Sequence, residues 1–522
     1  MLSGLSYIGY QRAASGGATF TGKQASTGAD LPGTFHSASP DDVEAAARLA
    51  GQAFPAFRDL PGQVRGAFLR TIAANIEALG QTLTDRAMAE TGLPEARIKG
   101  ETARTCGQLR LFAGMVEEGS WVDARIDHAD PARTPLPKPD TRSMLRPLGP
   151  VVVFGASNFP LAYSTAGGDT ASALAAGCPV IVKAHAAHPG TAGLVAGAVV
   201  EAARSHNLPE GVFSMLYDAG LEVGTALVRH PLVQAVGFTG SRAGGTALAK
   251  AAAERPQPIP VYAEMSSVNP VFVLSGALAE RGAALGSALA ASVTAGVGQF
   301  CTCPGLVIYD RNSDIQPFQE ALQSALAAAL PGTMLNAGIH TNYLSKRAAL
   351  AGHEGVSTLL ELESPGSSGG AGLYATTVKA VLADAGLTGE VFGPATLLIA
   401  ANGPNEILEV ARSMEGQLTA TVHGAASDVP LQKDLMAILE TKAGRLLGAG
   451  VPTGLEVNQS IVHGGPWPAT SDGRTTSVGG AAILRFTRHV CWQDCGDALL
   501  PPALQESNPL KLSRLVNGVR QG

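Results

Sequence analysis

Charged and aromatic residues are scarce in this chain: only 15% of its 522 residues are charged and 5% are aromatic. The net charge is −6 and the isoelectric point about 6.0, with no basic stripe, which excludes a nucleic-acid-binding surface as a reading. Cysteine is sparse as well, limited to Cys106, Cys178, Cys301, Cys303, Cys491 and Cys495. None of these forms a CxxC pair, so no structural metal site is expected, and the set reads as free thiols of a reducing cytoplasm. Long membrane-type runs are also missing. Residues 147–168 and 283–309 carry no charge, but Pro150, Asn158 and Pro160 break the first, and small residues with Gln299 and Pro304 make up much of the second. A spanning helix needs about 20 mostly apolar residues, so both read as buried elements and no membrane partner is expected. The opening Met1-Leu-Ser-Gly-Leu-Ser-Tyr-Ile-Gly lacks the basic flank and apolar core of a signal peptide.

What is present is a long, apolar-rich chain, 45% hydrophobic, which exceeds one core and predicts two or three domains. The N-terminal 35 residues read as strands and turns. Ser39-Pro40-Asp41-Asp42 then opens a helix: a hydroxyl cap, proline in the first turn, and acids against the helix dipole. Alanine-rich helical patterns, including 101–116, run to about Gly119, and the proline-rich Ser120–Met144 reads as an extended arm. From Gly149 the pattern becomes regular. The apolar runs 151–154, 179–183, 212–217, 235–238, 259–262 and 271–274 alternate with helical stretches, the first of which is expected to reach Ala176. That alternation predicts an α/β fold with a parallel sheet covered on both faces. A second α/β region is expected from about Asn269 to Thr470, with 481–491 as a final strand.

Chemistry gathers at the ends of these runs. Gly298-Gln-Phe-Cys301 places a thiol after an uncharged segment, and Val261-Tyr-Ala-Glu264-Met places a carboxylate on an apolar one. Burial of a carboxylate is costly without a partner or a purpose. Asn158, in Ser-Asn158-Phe-Pro, stands after the first strand, where an amide can donate to a developing oxyanion. Lys183 ends a buried strand. Thr239-Gly240-Ser241-x-x-x-Gly245 is a small-residue turn before a helix, where backbone N–H groups can meet a phosphate. Each also has an ordinary structural reading: a small buried thiol, a turn-forming asparagine, a lysine reaching solvent, a glycine-rich turn.

Together, and in this order, the motifs resemble those of the aldehyde dehydrogenase superfamily, with Glu390-Val-Phe392-Gly-Pro similar to its nicotinamide-ribose segment. The resemblance implies a Rossmann-type cofactor domain (1–119 and 145–262), an α/β catalytic domain (263–480), and a small β oligomerisation arm with C-terminal tail (120–144 and 481–522). It implies Cys301 as nucleophile, Glu264 as water-activating base with its pKa raised by apolar neighbours, and Asn158 as oxyanion donor. Lys183, Gly240, Ser241, Gly245, Glu390 and Phe392 are implied as cofactor contacts. Cys303 is the competing thiol, at the wrong spacing from Gly298-Gln299. Two departures stand out: Ser266-Ser267-Val268 where the family usually has Gly-Gly-Lys, and His463-Gly-Gly-Pro466-Trp467 where it has Pro-Phe-Gly-Gly.

The stretches Glu90–Arg97, Gly107–Ala113 and Arg485–Gln493 are similar to the 2-oxoglutarate semialdehyde (2,5-dioxopentanoate) dehydrogenase branch, close to NADP-dependent fatty aldehyde dehydrogenases. The activity implied is NAD(P)-dependent oxidation of 2-oxoglutarate semialdehyde through a cysteine thioester. The alternatives are a broad medium- or long-chain aldehyde dehydrogenase, a CoA-acylating relative, and a silent binding protein on the same fold. Ala186 stands where NAD-preferring relatives carry a glutamate, so NADP is expected, with NAD possible, and Lys183 with His185 or His188 would offset its 2′-phosphate. A substrate carboxylate calls for arginine, and Arg104 with Gln108 on one helix face, Arg110 and Arg474 are the candidates. Tyr163 and Trp467 are candidate walls for an apolar aldehyde. The resemblance also implies a homodimer or homotetramer.

Overall fold

The computed structural model describes residues 3–13 and 17–522, so Met1, Leu2 and residues 14–16 of the expected N-terminal strands and turns lie outside the described residues. Local signals are followed closely at the first helix, Pro40–Arg58. Ser39 Oγ accepts the Asp42 N–H at 3.2 Å and Asp42 returns the bond by accepting the Ser39 N–H at 2.8 Å, which satisfies two groups a helix start leaves open.

Two seven-stranded sheets organise the chain. In the first, Val261–Glu264, Ala235–Thr239, Val151–Phe154, Val180–Lys183 and Phe213–Leu216 lie side by side and parallel, and the hairpin Tyr7–Ile8/Gln11–Arg12 closes one edge antiparallel. These short runs are apolar on both faces because helices cover both. Register aligns Phe238, Phe154 and Lys183 in one row and sets Thr239 beside Glu264. The chemistry-bearing residues therefore emerge together at the carboxyl ends of the strands, where open α/β sheets take their ligands.

The second sheet runs Ser357–Glu361, Gly372–Thr377, Ala395–Ala401, Leu306–Asp310, Val271–Val273, Gln417–His423, Ala443–Leu447, parallel except for its first edge strand. The run 271–274, read from sequence as the end of the first series, stands in the middle of this sheet. Asn269, buried at φ 48°, and Pro270 turn the chain away before it, and an apolar run by itself does not say which sheet it joins. The helical stretch expected after Phe154 is a loop until Gly168–Ala176. Pro160 cannot continue a helix, and Glu101 Oε1 accepts the N–H groups of Leu161 and Ala162, both at 2.9 Å. The expected final strand over 481–491 is a 3₁₀ segment, Gly480–Phe486, followed by the strand Thr487–Gln493.

A third, five-stranded sheet joins the arm to the C-terminus, in the order Thr487–Gln493, Thr141–Pro147, Arg125–Asp127, Arg514–Val516, Val519–Gln521. Among the described residues no helix is long and apolar enough to cross a membrane.

Candidate active site

Cys301 is carried into position by a rigid approach. The helix Ser275–Thr294 packs so closely on Gln316–Ala328 that a Cβ at Gly286 would sit 2.3 Å from the Phe318 carbonyl oxygen. The chain then makes a left-handed turn, with φ values of 54°, 59° and 65° at Gly296, Val297 and Gly298. A β-branched residue is rarely held there. Only glycine fits at 298, where a Cβ would lie 2.2 Å from the Gly393 carbonyl carbon. Gln299 braces the turn: its Oε1 accepts the Leu335 N–H and its Nε2 donates to the Gly296 carbonyl. Asn269 Nδ2 donates to the carbonyls of both Cys301 and Cys303 at 2.9 Å, which fixes the peptide units around the thiol.

The Cys301 sulfur opens on a cleft of about 880 Å³, whose lining includes Asn158, Glu264, Thr239, Gly240, Ser241, Glu390 and Phe392. Asn158 Nδ2 donates to the Gln299 carbonyl at 3.0 Å. An amide carries two N–H groups, so one remains for a group bound beside Cys301. Cys303 is turned away, its sulfur 3.8 Å from the Val293 carbonyl and 3.9 Å from that of Gly393. Burial, helped by the Glu390 charge, pushes its thiol up to about 12.

A residue that sequence reasoning missed sits between thiol and carboxylate. His463 Nε2 lies 3.4 Å from Cys301 Sγ and 2.9 Å from Glu264 Oε1, and the histidine is fully buried. Ser477 donates its hydroxyl to Glu264 Oε2 at 2.6 Å. The expectation that apolar neighbours raise Glu264 is therefore corrected. Burial does push its carboxyl up, but the charge and hydrogen bond of His463, with bonds from Ser477 and Cys301, hold it below the usual carboxylate range. The Cys301 thiol moves the other way, raised well above its ordinary value by burial and by the Glu264 charge. The reactive atoms of Glu264, Cys301 and His463 lie within 4.8 Å of one another, a donor set that could also hold a soft divalent ion. In the sequence His463 stands out only as part of a departure from a motif. Neither it nor Ser477 lies on a periodic element, since no helix or strand falls between Leu447 and Gly480.

The other wall of the cleft carries groups that could hold a dinucleotide. The Ser241 hydroxyl caps the helix Arg242–Ala253 by accepting the Gly244 N–H, which leaves a helix N-terminus beside Thr239 and Gly240. Gly245 serves packing, since a Cβ there would meet Met265 Sδ at 2.6 Å. Glu390 is raised by burial despite the Ser266 hydroxyl and Lys346 beside it, and Lys346 Nζ donates to its carbonyl at 2.7 Å. Ser266, one of the two serines in place of the family's glycines, thus faces this carboxylate, while Ser267 donates to Asn269 and Gln417. Lys183 Nζ donates to the Asp218 carbonyl at 2.9 Å. Of the two histidines expected to assist it, His185 does not supply charge there: burial, then His188 and Lys183, pushes it down to about 3. His188 is fully buried with its Nε2 2.8 Å from the Ala156 carbonyl oxygen.

The candidate substrate residues scatter. Arg104 donates from Nη2 to the Tyr163 hydroxyl at 3.0 Å, and Tyr163 packs 6.2 Å from His463, ring to ring. Gln108 is buried against Gly168. Arg110 pairs with Glu77 on the surface. Arg474 has a side chain 90% exposed and paired with Asp472. Trp467 is half exposed beneath the Arg242 guanidinium. The last three are not brought to the cleft.

Residues 18–433 match the sequence profile of the aldehyde dehydrogenase family. Over 521 residues the chain is 52% identical to the alpha-ketoglutaric semialdehyde dehydrogenase 2 of Azospirillum brasilense, covering 99% of each. Over 520 residues it is 46% identical to the alpha-ketoglutaric semialdehyde dehydrogenase of Acinetobacter baylyi, covering 99% of this chain and 98% of the other. The solved 1-pyrroline-5-carboxylate dehydrogenase from Thermus with bound NAD shares the fold, with a TM-score of 0.79 at 22% identity over 94% of this chain and 92% of that one.

Proposed function

This chain belongs to the aldehyde dehydrogenase family, and on that footing we propose that it oxidises 2-oxoglutarate semialdehyde to 2-oxoglutarate with a nicotinamide dinucleotide. The observation that carries the reading is the convergence of Asn158, Glu264 and Cys301 on one cleft whose far wall is Thr239–Ser241 and Glu390. In this reading residues 1–119 and 145–262 hold the cofactor, 263–480 carry the reaction, and 120–144 with 481–522 form the oligomerisation arm.

Cys301 gives its proton to the adjoining His463–Glu264 pair and attacks the aldehyde carbon. The free N–H of Asn158 and the backbone N–H of Cys301 hold the resulting oxyanion. One such donor is worth about 10²–10³ in rate in other enzymes. When bound, the nicotinamide accepts the hydride that the tetrahedral adduct loses. Once the thiol proton has passed from this pair to solvent, Glu264, again ionised and hydrogen-bonded to His463 and Ser477, takes a proton from water, which cleaves the Cys301 thioester with the sulfur as leaving group. Glu390 and Lys183 would hold ribose hydroxyls of the dinucleotide, and Gly240 and Ser241 would meet its phosphates. With no carboxylate at Ala186, NADP is accepted in preference to NAD. With His185 held neutral by burial and His188 engaged at the Ala156 carbonyl, Lys183 is the principal partner for a 2′-phosphate.

The semialdehyde is favoured over a long apolar aldehyde by the names of the two relatives that match end to end and by Arg104 at Tyr163. The protein is proposed to be cytoplasmic. It is also proposed to be a homodimer or homotetramer, because the five-stranded sheet ends in edge strands, Thr487–Gln493 and Val519–Gln521, that need covering. The test is steady-state kinetics with 2-oxoglutarate semialdehyde, a medium-chain aldehyde and both cofactors. Reduced cofactor forming fastest with the semialdehyde and NADP supports the reading. A preference for the medium-chain aldehyde overturns the substrate, and a preference for NAD overturns the cofactor choice.

A further inference from the structure

Beyond Tyr163, on the side of Cys301 away from the phosphate turn, the protein holds more positive charge than it balances. Arg97, on the helix Glu95–Glu118, lays its guanidinium over Phe159 and Phe300 at 4.4 and 4.6 Å from the ring centroids. Arg104 lies two turns further along the same helix face, 5.2 Å over the Tyr163 ring. Arg445, from the distant strand Ala443–Leu447, donates from Nη1 to the Gly454 carbonyl at 3.0 Å and from Nη2 to that of Pro452 at 2.6 Å. All three border one aromatic cluster, since Gly454, the partner of Arg445, precedes Leu455, which packs with Phe159, Tyr163 and Phe300, and burial weakens the protonated forms of Arg97 and Arg445.

Among the described residues the carboxylate paired with any of these three cations is Glu101. Its Oε2 stands 3.3 Å from Arg97, while Oε1 is occupied by the Leu161 and Ala162 amides. The Nε atoms of Arg104 and Arg445 are buried with no hydrogen-bond partner. Buried donors and unbalanced charge are costly unless something answers them. The rings of Phe159, Tyr163 and Phe300 exclude water here but offer no anion.

We propose that Arg97, Arg104 and Arg445 form a receptor for the carboxylate of a 2-oxo acid whose aldehyde end reaches Cys301. The inference rests on the semialdehyde reading above and extends it by naming Arg97 and Arg445 as specificity residues. A carboxylate with an adjacent keto oxygen presents coplanar acceptors that match planar guanidinium forks. A lysine would supply charge without that geometry.

The test compares wild type with Arg97→Met, Arg445→Met and Arg445→Lys, each with 2-oxoglutarate semialdehyde and with pentanal, an uncharged aldehyde of the same carbon count. The expected result is a fall of about tenfold or more in the ratio of kcat/KM for the semialdehyde over pentanal in each methionine variant. KM should carry the change, and Arg445→Lys should recover part of it. A wild-type preference for the semialdehyde that survives both methionine variants overturns the receptor and leaves the substrate reading intact. Equal loss on both aldehydes in the methionine and lysine variants alike also overturns it. A wild type with no preference for the semialdehyde overturns the substrate reading itself.

Discussion

Cys301 has two sides built by different means. Toward the cofactor wall, its neighbours are the ends of consecutive strands of one sheet: Asn158 beyond Phe154, Lys183, Thr239 and Glu264, aligned by parallel register. Toward the arginines, its neighbours come from the helix Glu95–Glu118, the strand Ala443–Leu447 and the irregular stretch that holds His463 and Ser477. The first side is a repeated local device, strand then turn, and each turn can be recognised alone. The second exists only after distant segments pack. One side suits chemistry common to many aldehydes, and the other is free to differ and so to choose among them.

The largest expected effect falls where the two sides meet. Cys301→Ser should cut turnover by about 10³-fold or more with either aldehyde and either cofactor, and should remove labelling by a thiol-directed electrophile from the peptide that carries position 301, while exposed Cys491 still reacts. Retained activity would hand the reaction to another group and dissolve the comparison. Glu264→Gln should act later in the cycle. A first-turnover burst of reduced cofactor should survive while steady-state turnover falls by about 10²–10³-fold. An unchanged steady state would remove Glu264 as the base.

That pair was legible in the sequence because each residue sits in a contiguous motif: Gly298-Gln-Phe-Cys301 and Ala-Glu264-Met. Legible for the same reason were Asn158, the Thr239–Ser241 turn and Glu390-Val-Phe392, all of which line one cleft. The parallel strands were legible as apolar runs, but not the sheet that Val271–Val273 would join. His463 carried only a negative signal, a broken motif, and its place beside Glu264 depends on the chain returning from far along the sequence, where Thr470 bridges to Glu264. Arg97 looked like any charged helix position, and Arg104 differed from Arg110 only once Glu77 and Tyr163 were in place.

His463→Phe sharpens the comparison by taking one residue from the irregular side. Without His463, burial is opposed only by the bonds from Ser477 and Cys301, and the Glu264 pKa rises. The wild-type carboxyl, held low, is ionised well into mild acid, so the variant should lose activity at a higher pH. The acid limb of the kcat/KM profile should move to higher pH, with a drop of about tenfold in kcat/KM at neutral pH. An unmoved limb would mean that His463 does not set the Glu264 charge. On the other side, Lys183→Ala should raise KM for NADP by about tenfold and leave kcat nearly unchanged, since a single charged contact to the cofactor is lost.

The smallest effect is expected at Arg474, the arginine that sequence alone could not separate from Arg104. Its guanidinium is 90% exposed, and its partner Asp472 lies two residues away. Exposed pairs of this kind contribute little because solvent screens them, and its partner is a neighbouring surface residue rather than a group of the cleft. Arg474→Ala should therefore shift kcat/KM for the semialdehyde by less than about twofold, measured beside Arg104→Met, for which KM should climb by about tenfold or more. A rise of similar size at Arg474 would bring the surface loop 472–475 into substrate capture and move the boundary between the two sides of the thiol.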